Sequence, residues 1–152
     1  MTEVMIGSFN ERGYLAGFTR RGFTPERSIQ ELVANALDAI ERGNVQDGFI
    51  HFLIGQYLTK MIDNGCGMTR EQIRWMFDNY RENHANDKSR GVSGIGAKPA
   101  LSCLSNKKDM CIKTHSHNGE YLRADIPWSR IHAEGRFTGM ISVRNMTDEE
   151  IA

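Results

Sequence analysis

Three groups of residues carry side chains or backbone suited to phosphate chemistry. The first is Glu31, Asn35 and Asp38. Their spacings of four and three stack them on one face of a helix. Magnesium takes oxygen ligands in an octahedron and keeps several waters, so a neutral Asn oxygen suits it beside phosphates. A carboxylate one turn earlier can orient and deprotonate an attacking water. The second group is Asp63-Asn64-Gly65-Cys66-Gly67-Met68, where a carboxylate at a strand end can accept from an exocyclic amine. Its glycines let backbone approach a ligand, and Met68 can pack on a planar ring. The third is Gly91-Val92-Ser93-Gly94-Ile95-Gly96-Ala97-Lys98. Backbone N–H groups of such a loop and the helix after it attract phosphate, and Lys98 adds a point charge.

Each group alone also has an ordinary structural reading: a solvated helix face, a strand-to-helix turn, a flexible loop. The third matches neither the Walker A spacing nor the dinucleotide G-x-G-x-x-G pattern.

Elements that would position these groups follow from the pattern. A helix is expected over 25–42, with Thr24 as N-cap, Pro25 at its first position and a stop at Gly43-Asn44. Ile29, Leu32, Val33, Ala36, Leu37 and Ile40 form its apolar stripe, opposite the acidic face. Strands are expected over 48–54 and 57–63 around Gly55-Gln56, and a helix from a Thr69 cap to about Tyr80. A loop over 82–90 and a short helix ending near Leu104 come next. Strands follow over 108–115, 120–128 and 139–143, with a turn at Asn118-Gly119. A short strand fits 4–9, and Gly13, Gly17 and Gly22 argue against any long helix before residue 25. The segment 148–152 has the look of a helix start, as in a domain drawn from a longer protein.

Together and in order, the three groups resemble the motifs of the GHKL superfamily (gyrase, heat-shock chaperone of the ninety-kilodalton class, histidine kinase, MutL). Glu31-Leu-Val-Ala-Asn35-Ala-Leu-Asp38-Ala39 is similar to its N box, and Asp63-Asn-Gly65-Cys-Gly67-Met68 to its D-x-G-x-G box. Gly91-Val-Ser-Gly94-Ile-Gly96 is similar to its second glycine box. The resemblance covers about residues 25–145. It implies an α/β chain with the Bergerat fold, an α+β two-layer sandwich of a mixed sheet with helices on one face. It implies one ATP-binding domain over residues 1–152 and an ATP lid over about 79–96.

The resemblance also implies roles. Glu31 would be the general base, Asn35 the Mg²⁺ ligand and Asp63 the adenine acceptor, with Asp38 in the same site. Gly65, Gly67 and Met68 would line the adenine end. Gly91, Gly94, Ile95, Gly96, Ala97 and Lys98 would line the phosphate end. The implied activity is Mg-dependent ATP hydrolysis, with lid closure coupled to dimerisation or to a downstream transducer or effector. Asp38, where kinases of the superfamily carry a basic residue or His, makes the chain similar to the ATPase branch. Within that branch it looks most like the archaeal-type topoisomerase's ATP-binding component, its B subunit, and MORC proteins. A protein kinase and a non-hydrolysing nucleotide sensor are the alternatives. One departure is Thr138-Gly139-Met140, where the superfamily's topoisomerases and chaperones usually carry a Gly-Thr pair that holds adenine.

Composition agrees. Apolar residues are 39% and charged residues 25% of 152, a globular profile with room for one core. Nineteen basic and nineteen acidic residues cancel, so no global field favours nucleic acid. There is no signal-like or membrane-spanning run. Three cysteines (Cys66, Cys103, Cys111) without metal-like spacing point to free thiols in a reducing compartment, cytoplasmic or nuclear. His84, His115 and His117 read as surface residues, and Trp75 and Phe77 as packing residues.

Overall fold

The computed structural model describes residues 10–20, 22–77 and 96–152. The strand expected over 4–9, most of the expected lid, and Gly91, Gly94 and Ile95 lie outside these residues. The element order is α1 (Glu11–Arg20), α2 (Pro25–Arg42), β1 (Ile50–Ile54), β2 (Thr59–Asp63), α3 (Arg70–Phe77) and α4 (Ala97–Ser105). β3 (Met110–His115), β4 (Tyr121–Ile126), α5 (Trp128–Glu134), β5 (Ser142–Asn145) and α6 (Asp148–Ile151) follow.

β3, β4 and β5 form an antiparallel sheet with β4 at its centre. Alternation splits its residues between two faces. Met110, Ile112, Leu122, Ala124, Ile126 and Val143 point to the core, where they meet Leu15 of α1, Ile73 and Phe77 of α3, Leu101 of α4 and Ile131 of α5. Trp128 is fully buried there, and its indole N–H donates to Met110 Sδ at 3.1 Å. Lys113, His115, Tyr121, Arg123, Asp125 and Arg144 take the other face. The chain is therefore an α+β sandwich with helices on one side of the sheet, as expected. Every strand pairing among the described residues is antiparallel. β1 and β2 form a hairpin outside this sheet, closed by Gly55 N–H to Leu58 O at 2.9 Å. Leu53, Ile54, Tyr57 and Leu58 at its end are exposed.

α2 has the expected bounds. Thr24 Oγ1 accepts from Arg27 N at 3.2 Å, and Gly43 caps the other end. Its apolar stripe is less uniform than expected, because Ala36 is buried but Leu37 is 41% exposed. α3 begins at the expected Thr69 cap, and the bond is reciprocal: Gln72 N donates to Thr69 Oγ1 and Thr69 N to Gln72 Oε1.

Two helices depart from the sequence reading. α1 runs through Gly13 and Gly17, capped by Asn10, whose Oδ1 accepts from Gly13 N at 2.9 Å. Its glycines weaken it intrinsically, and burial of Leu15 in the core offsets that. α5 occupies the end of the strand expected over 120–128. Pro127 cannot donate to a ladder, and the chain turns there into a helix that seats Trp128 and Ile131 in the core.

Candidate functional site

α2 is the hub of the site, and two later segments dock on it. The first is the loop after β2. Cys66 N–H donates to the carbonyl of Ala39 at 3.0 Å, and Gly43 N–H donates to the same oxygen. Gly65 packs so closely on α2 that a Cβ there would stand 2.6 Å from Ala39 Cβ. Its N–H donates to Asp63 Oδ1 at 2.9 Å, which fixes that carboxylate at the strand end and leaves it exposed. Asn64 pins the loop from behind: its Oδ1 accepts from Phe49 N at 2.8 Å and its amide donates to Asp47 O at 2.9 Å. Gly67 has φ +65° and sits against the carbonyl of His115, where no side chain fits. Met68 N donates to Thr114 Oγ1 at 2.9 Å, so β3 also holds the loop.

The second segment is the start of α4. Gly96 lies against the Glu31 carboxylate; a Cβ at Gly96 would stand 2.9 Å from Glu31 Cδ. Glu31 is half-buried in this contact, and Asn35, one turn on, is exposed. Among the described residues no group engages the Asn35 amide. A neutral oxygen ligand beside phosphates fits a magnesium ion. Ala97 is buried at the first position of α4.

The expected residues are thus divided by their surroundings. Glu31, Asn35, Gly96 and Ala97 come together where α2 meets α4, and Asp63, Gly65, Gly67 and Met68 lie in the loop bound to the end of α2. Asp38 is 6% exposed and engaged within the fold, not displayed on an acidic face. Lys98 is 2% exposed, and its Nζ lies 5.7 Å from the ring centroid of Tyr14 on α1. Met140 is 9% exposed in the core cluster that Met68 packs against. His115 stacks on Tyr121 with ring centroids 4.0 Å apart, Phe77 is buried, and the three cysteines are free thiols. A shallow groove of about 290 Å³ near Asp109, Cys111 and Arg123 lies at the opposite end of β3 from Gly67 and contains none of the site residues.

Sequence reasoning passed over three positioning groups: Thr114, the Ala39 carbonyl and the Asn64 amide. A threonine inside a strand and a carbonyl inside a helix leave no sequence signal. Asn64 left one, since an Asn after a strand often binds nearby backbone.

The chain is 33% identical over 135 residues, 81% of its length, to the B subunit of type 2 DNA topoisomerase 6 from Natronomonas pharaonis. It is 32% identical over 127 residues to the same subunit from Halobacterium salinarum, and 28% identical over 124 residues to that from Saccharolobus solfataricus. Its curated homologues are GHKL proteins. They belong to an ATPase family. The aligned region is 78% and 75% of this chain in the last two cases. The chain spans 16% to 23% of the length of the relatives it matches. No family model matches the chain. No described helix is long and apolar enough to cross a membrane.

Proposed function

We propose that this chain is a GHKL ATPase module that binds Mg·ATP and hydrolyses it to ADP and phosphate. One observation carries this reading. Two segments far apart in sequence meet on α2: Gly96 lies against the Glu31 carboxylate, and the loop of Asp63, Gly65 and Gly67 is tied to Ala39 eight residues further along. Eight residues are about 12 Å of helix, a span suited to a nucleotide lying along it.

In this reading Asp63 accepts from the adenine amine, with Gly65, Gly67 and Met68 beside the ring. Asn35 would hold magnesium, and the ion when bound would supply charge neutralisation to the phosphates. Glu31 takes the proton of the attacking water, and Asp38 steadies the helix from within the fold. The backbone of Gly91, Gly94, Ile95, Gly96 and Ala97 receives the phosphates, and Lys98 adds positive charge in the first turn of α4. Nucleotide binding is coupled to pairing of two copies or to a downstream transducer or effector, in an intracellular protein. The kinship with topoisomerase subunits supports this reading.

The test is turnover of ATP labelled at its γ-phosphate by wild type and Glu31→Ala. Expected is free labelled phosphate from wild type, a loss of about 10²-fold or more in the variant, and similar ATP affinity in both. Equal turnover removes Glu31 from its role. Label retained on protein favours the kinase alternative, and binding without release favours a nucleotide sensor.

A further inference from the structure

The first turn of α1 grips the connection between α5 and β5. One carboxylate oxygen of Glu11 accepts from the backbone N–H groups of both Phe137 and Thr138, the latter at 2.8 Å. Successive amides converging on one oxygen make an anion nest. Phe137 is 4% exposed, with its side chain in the core, so the carboxylate ties α1 to a segment anchored in the interior. Beside it, Arg12 Nη2 donates to Glu134 O at 3.4 Å, and the guanidinium lies over Gly135.

One turn further, α1 reaches the candidate site. Leu15 enters the core, and the Tyr14 ring stands 5.7 Å from Lys98 Nζ. Lys98 is the second residue of α4, and Gly96, two residues earlier, is the contact of Glu31. α1 therefore spans from segment 134–138 to the start of α4.

α1 has two glycines in ten residues, and glycine weakens a helix interior, so its order depends on how it is docked. Glu11 is the side chain that ties its first turn to two amides across the fold.

We propose that Glu11 is a positioning residue for the ATP hydrolysis proposed above, an inference that rests on that reading. Glu11 docks α1, and α1, through Tyr14 and Lys98, fixes the start of α4 against Glu31. Small misplacements of a catalytic group cost rate even when they arise far from the chemistry.

The test compares wild type, Glu11→Ala and Glu11→Gln by amide hydrogen exchange and steady-state ATP turnover. Gln retains an acceptor oxygen for the nest without the charge. In Glu11→Ala the amides of Phe137 and Thr138 are expected to exchange about tenfold faster. Its kcat should fall about fivefold while KM for ATP stays within about twofold. Glu11→Gln should recover most of both losses. Ile131→Val, which trims the shared core and leaves the Glu11 hydrogen bonds in place, should lower the melting temperature and leave kcat unchanged. If Glu11→Ala loses its helical circular dichroism, Glu11→Asp, one methylene too short to serve both amides, carries the same expectation.

Faster exchange with unchanged kcat overturns the positioning role, and unchanged exchange overturns the docking itself. If wild type hydrolyses no ATP, the ATPase reading fails and the positioning role fails with it, while exchange at Phe137 and Thr138 still reports on the docking.

Discussion

Gly67 shows how far a single residue constrains the candidate site. Its φ of +65° is one that L side chains rarely adopt, and the His115 carbonyl fills the space of a Cβ. Gly119 has a similar φ of +86° with nothing near it. The pair separates backbone strain from collision. Gly119→Ala should cost about 1–2 kcal/mol in urea unfolding, the left-handed penalty alone. Gly67→Ala should cost more, because β3 or the loop must also move, and it should weaken ATP binding while Gly119→Ala does not. Equal costs for the two would show that the loop yields freely. The placement of Glu31 and Asn35 on one helix, and of Asp63, Gly65 and Gly67 in a loop at a strand end, is legible in the sequence because it depends on residue type and spacing. Asp38 was misjudged at this scale: periodicity placed it on a displayed face, but the packing of α2 buried it. Periodicity gives an angle around the axis and does not say which neighbour stands at that angle.

Among the elements, α2 was legible to the residue because Thr24, Pro25 and Gly43 mark both ends chemically. α1 was not, because its stability lies in docking bonds 120 or more residues away in sequence. α5 was hidden by the apolar residues on both sides of Pro127, which continued the look of a strand. α6 is a four-residue helix held by one carboxylate. Glu150 accepts from Arg144 at 2.7 and 2.9 Å, from Arg123 at 2.8 Å and from Thr147 N at 3.0 Å. The Arg144 hydrogen bond, then the Thr147 N–H, hold its carboxyl far below the ordinary carboxylate range. Because the folded value lies below the unfolded one, the contribution is complete above the unfolded value and is lost as pH falls towards the folded one. Asp125 is paired with the same two arginines. Stability followed by urea unfolding should therefore decline below about pH 4.5, with a shallower decline in Glu150→Gln. Identical profiles would show that α6 is held by something else.

For the whole molecule, the α+β class followed from the alternation of patterns, but the division into a three-stranded sheet and a separate hairpin did not. Strand partners are chosen by tertiary packing, which local pattern does not record. The hairpin ends in Leu53, Ile54, Tyr57 and Leu58, all exposed, so the core of this molecule is built without them. A ligand gripped by both the α2–α4 contact and the loop after β2 ties those parts to the same object and should raise global stability. Mg·ATP at one hundred times its dissociation constant should add about 2.7 kcal/mol, or roughly 5–10 °C in melting temperature. No shift at saturating Mg·ATP would count against nucleotide binding here. The carbonyl of Ala39 sets a limit on how such a ligand can be enclosed. One oxygen receives both Gly43 N–H and Cys66 N–H, a rivet through helix and loop together. Glu31 and Asp63 thus ride on a common frame whose span is fixed before any ligand arrives. Whatever folds over a nucleotide has to come from parts of the chain that this rivet leaves loose.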